Sequence, residues 1–111
     1  MLYQNKAQAV QDALRIYAYI VEHPYCSKHD AVKALGITGL GINNCPLCEV
    51  FYIDKCKACP ISDKVLLASC ALDTGPYGLF VQSKTDAARR QAAQNIVDIC
   101  KAYLRSPACA Q

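Results

Sequence analysis

Apolar residues recur at intervals of three and four near the beginning of the chain, from about Lys6 to Glu22. This spacing puts them on one face of an α-helix, so the pattern predicts an amphipathic helix over these residues. Pro24 is expected to end it, because the residue before a proline is disfavoured in the α-helical conformation. The apolar positions are Val10, Ala13, Leu14, Tyr17, Ile20 and Val21.

A second, shorter helix is predicted from the capping signals that follow. The sequence SKHD at residues 27–30 resembles a capping box with Asp in place of Glu, in which Ser27 caps the helix and Asp30 reaches back. The helix is expected to run through Leu35 and to end at Gly36. The next residues, GITGLGINN, are rich in glycine and asparagine and predict a turn-rich connector with room for a short strand.

The middle of the chain gives weaker signals. Pro46 could open a helical turn, although the EVFYI that follows would serve equally well as a strand. Another short helix is expected from Ser62 or Asp63 to about Cys70. LDTGPYG, residues 72–78, is expected to form a turn.

The last element has the clearest pattern. A helix is predicted from a cap at Ser83 or Thr85 to about Leu104. Arg89 falls at the edge of its apolar stripe and is interpreted as a side chain whose stem covers apolar surface while its head reaches water. The predicted buried stripe consists of Ala92, Ala93, Ile96, Ile99, Cys100 and Tyr103. The predicted polar face consists of Arg90, Gln94, Asp98, Lys101 and Arg105.

These elements predict a mostly α protein that forms one small domain over residues 1–111. It would contain a helical hairpin at residues 1–36, an irregular Cys-rich segment at 37–80 and a C-terminal helix at 83–105, with the helices packed on the Cys-rich segment. Two Phe and no Trp are a thin supply of large core side chains. A metal crosslink would therefore contribute usefully to stability.

The net charge bears on possible partners, and the opening residues bear on the cellular compartment. The net charge of +3 arises in residues 84–105, where five basic residues outnumber two acidic ones, and this supports nucleic-acid binding only faintly. The opening residues lack the apolar segment of a signal peptide, and no run is long enough to span a bilayer. We therefore expect a cytoplasmic protein, where clustered cysteines bind metal more often than they form disulfides.

Two C-x-x-C pairs, separated by seven residues, are the strongest chemical signal in the chain. Each pair can present two thiolates to one ion, and the spacer is long enough to double back, so the four cysteines suit one tetrahedral zinc site. Lys55 and Lys57 would offset the negative charge of such a site. The predicted zinc ligands are Cys45, Cys48, Cys56 and Cys59.

An iron–sulfur cluster is the alternative cofactor. Pro60 follows Cys59, as a proline follows the last cysteine of bacterial ferredoxin segments, and Cys70 offers a fifth nearby thiol. A [4Fe–4S] cluster could be bound by Cys48, Cys56, Cys59 and Cys70. The compact C-x-x-C-x-x-C run of ferredoxins is absent, so zinc is favoured.

The remaining cysteines and histidines are interpreted as structural. Cys100 lies on the predicted buried stripe, and free thiols are expected at Cys26 and Cys109. His23 and His29 lie near helix boundaries and are expected at caps or on the surface. The chain has no common hydrolase, nucleotide-binding or zinc-protease motif, and four sulfur ligands would leave no position on zinc for water. The sequence thus favours a function without catalysis.

The segment at residues 44–78 resembles a family of small cysteine-rich proteins from phage and prophage genomes. Their shared segment has C-x-x-C, a short spacer with an aromatic residue, C-x-x-C-P, a further cysteine and a Thr-Pro-Tyr turn. Gly75 interrupts that turn here. The resemblance implies metal binding and a viral origin, with no assigned activity. The matching residues are Cys45, Cys48, Cys56, Cys59, Pro60, Cys70, Pro76 and Tyr77.

The first third of the chain suggests a competing function. Residues 16–37 are similar to the opening of winged-helix and helix-turn-helix domains, in which a recognition helix comes next. In this chain the glycine-rich connector and the cysteine pairs stand in its place. Lys28, His29 and Lys33 are too few to make a convincing phosphate track. We therefore expect another protein as the partner, with nucleic acid only weakly supported and no membrane.

Overall fold

The computed structural model describes residues 5–38, 46 and 76–105. Within this part the chain is mostly helical and contains no strand, which confirms the predicted fold class. Pro46, the residue predicted to open a helical turn, is helical and buried. The four helices are α1 (Lys6–Glu22), α2 (Lys28–Ala34), α3 (Pro76–Gln82) and α4 (Asp86–Leu104).

Helix α1 has the bounds that its apolar spacing predicts. The side chain of Asn5 caps it by accepting a hydrogen bond of 2.8 Å from the backbone N–H of Gln8. The predicted positions Leu14 and Val21 are only partly buried, whereas Ile16 is fully buried. The buried face consists of Ala9, Val10, Ala13, Ile16, Tyr17 and Ile20.

Both ends of α2 form as the capping signals predict. The hydroxyl of Ser27 accepts from the N–H of Asp30 at 3.1 Å, and the Asp30 carboxylate accepts from the N–H of Ser27 at 3.3 Å. At the other end Gly36 has φ +72° and donates to the carbonyl of Lys33, while Ile37 donates to that of Val32. This pair of bonds is a Schellman motif, which requires a left-handed residue at the glycine position.

Helix α3 corrects the prediction for LDTGPYG. Residues 76–78 of that segment form the first turn of a seven-residue helix rather than part of a turn. Proline is well suited to the first helical position, because its fixed φ is compatible with the helix and the N–H that it lacks would have no partner inside the helix. The helix ends at Gln82, where Ser83 donates its hydroxyl to the carbonyl of Phe80 at 2.6 Å.

Helix α4 confirms the predicted C-terminal helix. Thr85 is the N-cap, and its hydroxyl accepts from the N–H of Ala88 at 3.1 Å. Ile99 and Tyr103, predicted to be buried, are only partly so, and Val97 is buried although the prediction omitted it. The buried residues are Ala92, Ala93, Ile96, Val97 and Cys100.

The core forms where α1 and α4 pack on each other, with α2 against α1 and α3 against α4. Phe80 of α3 is almost completely buried, and its ring forms a T-shaped pair with that of Tyr17, at a centroid distance of 5.2 Å and an interplanar angle of 87°. Alanines of both long helices, Ala13, Ala92 and Ala93, belong to the same core cluster as Phe80.

Arg15 and Arg90 each donate a hydrogen bond to a backbone carbonyl at the end of a neighbouring helix. Arg90, predicted on the polar face of α4, donates from Nε to the carbonyl of Val21 at 3.1 Å, so α4 begins beside the end of α1. Arg15 of α1 donates to the carbonyl of Leu35 at 3.5 Å, and it also forms an ion pair of 3.2 Å with Asp12. Both carbonyls lie at helix C-termini, where acceptors lack partners inside the helix.

None of the helices that the structure describes is long and apolar enough to cross a membrane.

Candidate functional site

The predicted metal ligands lie outside the described residues. These are Cys45, Cys48, Cys56 and Cys59, together with the alternative ligand Cys70. Within residues 5–38, 46 and 76–105, no three side chains of His, Cys, Asp or Glu form a group that could hold a metal ion. The prediction of a metal centre therefore rests on the spacing of the cysteines in the sequence.

The helices on either side of the Cys-rich segment share one core. Before it, Ala31 and Val32 of α2 are buried, and at its start Ile37 packs against the core cluster. At its end, Phe80 of α3 is buried in the same cluster. The chain thus enters and leaves the Cys-rich segment at points that are fixed to a common core.

The two cysteines in the described part occupy the predicted kinds of place. Cys100 is fully buried in the core cluster. Cys26 is partly exposed in the connection between α1 and α2, where it carries a free thiol. Cys109 lies outside the described residues.

The histidines also lie where the sequence places them. His23 is the C-cap of α1, and its ring packs against that of Tyr19 at a centroid distance of 4.4 Å and an interplanar angle of 45°. A hydrogen bond of 3.3 Å joins its Nδ1 to the hydroxyl of Tyr25. His29 is exposed near the start of α2. These surroundings suit a cap and a surface residue.

The described residues do form a groove, at a place that the sequence did not indicate. The connection between α1 and α2 faces the connection between α3 and α4, and the open space between them is about 350 Å³. We call it the turn groove. It is lined by Pro24, Tyr25, Cys26, Ser27, Ser83, Lys84, Thr85, Asp86 and Arg89.

Arg89 joins the two sides of the turn groove. Its guanidinium lies over the ring of Phe80, 4.4 Å from the centroid, and its Nη2 donates to the carbonyl of Cys26 at 2.8 Å. The prediction that the head of this side chain reaches water is therefore only partly right, since the side chain is half-buried and bonded across the groove. The signal that could have pointed to this was a cation at the edge of an apolar stripe.

Comparison of the chain with protein-family models, with curated proteins and with solved structures finds no match. The function must therefore be argued from the cysteine spacing and from the geometry of the helices.

Proposed function

We propose that this protein binds metal through a tetracysteine centre, formed by Cys45, Cys48, Cys56 and Cys59, that organises a helical protein-interaction module. The observation that carries the proposal is the regular spacing of the two C-x-x-C pairs. The resemblance to phage and prophage cysteine-rich proteins supports a viral origin, and the expected compartment is the cytoplasm, that of the host if the protein is viral. In a reducing compartment these cysteines would stay as thiols rather than form disulfides, so they would be available to bind metal.

The anchoring of the Cys-rich segment supports this proposal. Ile37 and Phe80, at its two ends, pack on the same core, so the helices hold the two ends of the segment at that core. Closing a loop costs conformational entropy, and a metal site inside a closed loop has less of that cost left to overcome. The helices and the metal would stabilise each other by this linkage.

The other described cysteines are accounted for without metal. Cys100 is enclosed by core side chains, and Cys26 lies in a connection between helices. This leaves the two pairs and Cys70 as the natural ligand candidates among residues 36–80. Zinc uses only the pairs, whereas a [4Fe–4S] cluster would use Cys70 in place of one of them.

Interaction with another protein would use the outer surface of the helices. Among the described residues, three large apolar side chains are exposed: Tyr25 in the α1–α2 connection, at 74%, and Leu79 and Val81 of α3, at 55% and 44%. Exposed apolar side chains are common at protein interfaces, although single ones also occur on other surfaces. The proposal of a protein partner therefore rests on the helical module as a whole and does not depend on one apolar patch.

The test is anaerobic purification of the full chain, followed by elemental analysis for zinc, iron and acid-labile sulfide and by an absorbance spectrum. One zinc per chain without colour is the expected result. About four iron and four sulfide per chain would instead establish the iron–sulfur alternative, with redox, sensing or enzymatic roles. A chain with no stoichiometric metal would overturn the proposal.

Serine variants separate the ligand sets. We expect Cys56→Ser and Cys59→Ser to lose metal and to unfold or aggregate, whereas Cys26→Ser, the matched control, should keep both metal and fold. Cys70→Ser should be nearly silent with zinc and should bleach an iron–sulfur chromophore. Stable folding of both Cys56→Ser and Cys59→Ser without metal would contradict a structural centre.

A DNA-binding accessory role is the second candidate function. The hairpin of α1 and α2, with its capping box, is the observation that favours it. The test is salt-dependent retardation of duplex DNA by the wild-type chain and by a Lys28→Glu, Lys33→Glu double variant. Retardation that is absent, or unchanged in the double variant, would remove α2 as a DNA-binding element.

A further inference from the structure

Arg89 has hydrogen-bond donors to spare in the turn groove. The guanidinium carries five N–H donors, and one of them is used by the carbonyl of Cys26. In the part of the chain that the structure describes, no other acceptor and no carboxylate is bonded to this side chain. Covering a charged side chain removes part of its hydration, and an anionic partner can compensate for that loss.

Other donors line the same groove. The hydroxyls of Ser27 and Thr85 accept from backbone N–H groups, so each keeps its own O–H to donate. Lys84 adds an ammonium group, and Asp86 is the one carboxylate among the lining residues. Two positive charges and one negative charge leave the lining with a net charge of +1. The groove is therefore rich in donors and poor in acceptors.

We propose that the turn groove binds an oxyanion, a phosphate or a carboxylate group, with Arg89 as its principal ligand. The planar guanidinium matches two oxygens of such a group, and a hydrogen bond with a charge on both partners is stronger than a neutral one. The open space of about 350 Å³ has room for the anionic group and for part of the molecule that carries it. The hydroxyls of Ser27 and Thr85 would donate from opposite sides of the groove.

Arg89 is also held in place before any ligand arrives. The contact with the face of Phe80 and the bond to the Cys26 carbonyl together restrict the position of the guanidinium. A side chain that is already ordered loses less conformational entropy on binding. The site uses none of the cysteines of the tetracysteine centre, so it goes beyond the proposed function and can be tested separately.

The experiment is a titration of the full, metal-retaining chain followed by ¹H–¹⁵N NMR, including the Arg Nε–H region. Inorganic phosphate and sodium acetate are the two probes, and sodium chloride at matched ionic strength is the control for screening. We expect saturable shifts of Arg89 Nε–H and of the amides of Ser27 and Thr85, with a dissociation constant in the millimolar range. Comparison of the two probes decides between phosphate and carboxylate.

Variants assign the effect to the proposed ligand. Arg89→Lys keeps the charge but loses the planar fork, so binding should weaken about fivefold or more. Asp86→Asn removes the opposing carboxylate and should tighten binding. Arg105→Ala removes the same charge at the other end of α4, about 24 Å along the helix from Arg89, and should bind like the wild type.

Several results would overturn the proposal. They are shifts that do not saturate, shifts that sodium chloride reproduces, and equal binding by the wild type and Arg89→Lys. If Arg89→Lys unfolds, the proposal is tested by the residues whose signals shift in the wild type and by the affinity of Asp86→Asn, since neither measurement requires replacing Arg89. The titrations are made on the metal-retaining chain. Their outcomes therefore do not depend on whether the Cys56→Ser variant loses metal.

Discussion

Arg89 covers one face of the Phe80 ring, with the guanidinium carbon 4.4 Å from the ring centroid. The two residues belong to different helices, and the same guanidinium also reaches the carbonyl of Cys26 in the α1–α2 connection. Phe80 also forms a T-shaped pair with Tyr17, so its ring contacts both an arginine of α4 and a tyrosine of α1. One phenylalanine thereby links α3 to both long helices.

Truncation of Phe80 is therefore expected to be among the most damaging single changes in the described core. Phe80→Ala should lower the free energy of unfolding by about 3–5 kcal/mol, because it removes buried apolar area and leaves a cavity. Phe80→Leu should cost less, since it keeps much of the volume but loses the aromatic contacts. Urea unfolding followed by far-UV circular dichroism measures both.

Leu79 provides the matched control for Phe80. It precedes Phe80 in the same helix, but its side chain is 55% exposed. Leu79→Ala should change the free energy of unfolding by no more than about 0.5 kcal/mol. Equal losses at the two positions would show that α3 does not depend on burial of Phe80 for its attachment.

Arg90 is expected to stabilise the end of α1 from a distance of 69 residues in the sequence. Its Nε satisfies the carbonyl of Val21 in the last turn, and its positive charge lies near the negative end of the helix dipole. Arg90→Ala should lower the free energy of unfolding by about 0.5–1.5 kcal/mol. Arg90→Lys should retain the part of this stabilisation that comes from the positive charge near the end of α1.

Salt separates the two contributions of Arg90. The charge–dipole part is screened as ionic strength rises, whereas the hydrogen bond is much less affected. The difference between the wild type and Arg90→Lys should therefore vary little with salt, and the difference between Arg90→Lys and Arg90→Ala should shrink. Wild-type stability in Arg90→Ala would mean that water replaces Arg90 at this carbonyl without cost.

Local signals in the sequence were enough to predict three of the four helices of residues 5–38 and 76–105. The bounds of α1 and the capping box of α2 follow from spacing and from side chains three residues apart, which act within one turn of helix. Helix α3 was missed because seven residues are too few to show a helical period, and its proline and glycine are typical of turns.

Contacts that depend on the packing of helices could not be predicted from the same signals. Arg89 reaches Cys26 across 63 residues, and this contact exists only because α4 begins beside the end of α1. The turn groove is formed by the same arrangement, so no single stretch of sequence contains it. The cysteine pairs are the opposite case, since their chemistry follows from spacing alone and their ligation remains a prediction.

Gly36 is expected to be required for its backbone conformation rather than for space. Its φ is +72°, and a Cβ added there would meet nothing within 4 Å. Gly36→Ala should therefore cost about 1 kcal/mol, the strain of an L-residue in the left-handed region. Gly36→Asn should cost less, because asparagine adopts this region more readily. Thermal or urea unfolding of the two variants provides the measurement, and equal stability of Gly36→Ala and the wild type would contradict the Schellman assignment.

Alkylation of the thiols before and after metal removal tests the ligand set directly. A thiolate bound to metal is protected, so chelation should expose the ligand cysteines to iodoacetamide, as mapped by mass spectrometry of peptides. Cys26 should react equally in both states because it is partly exposed, and Cys100 should stay protected while the core is folded. Cys70 should become reactive only on chelation if it binds a cluster, and should be indifferent to the chelator if the metal is zinc. Reactivity that is the same before and after chelation at all four predicted ligands would contradict the metal centre. Those four are Cys45, Cys48, Cys56 and Cys59.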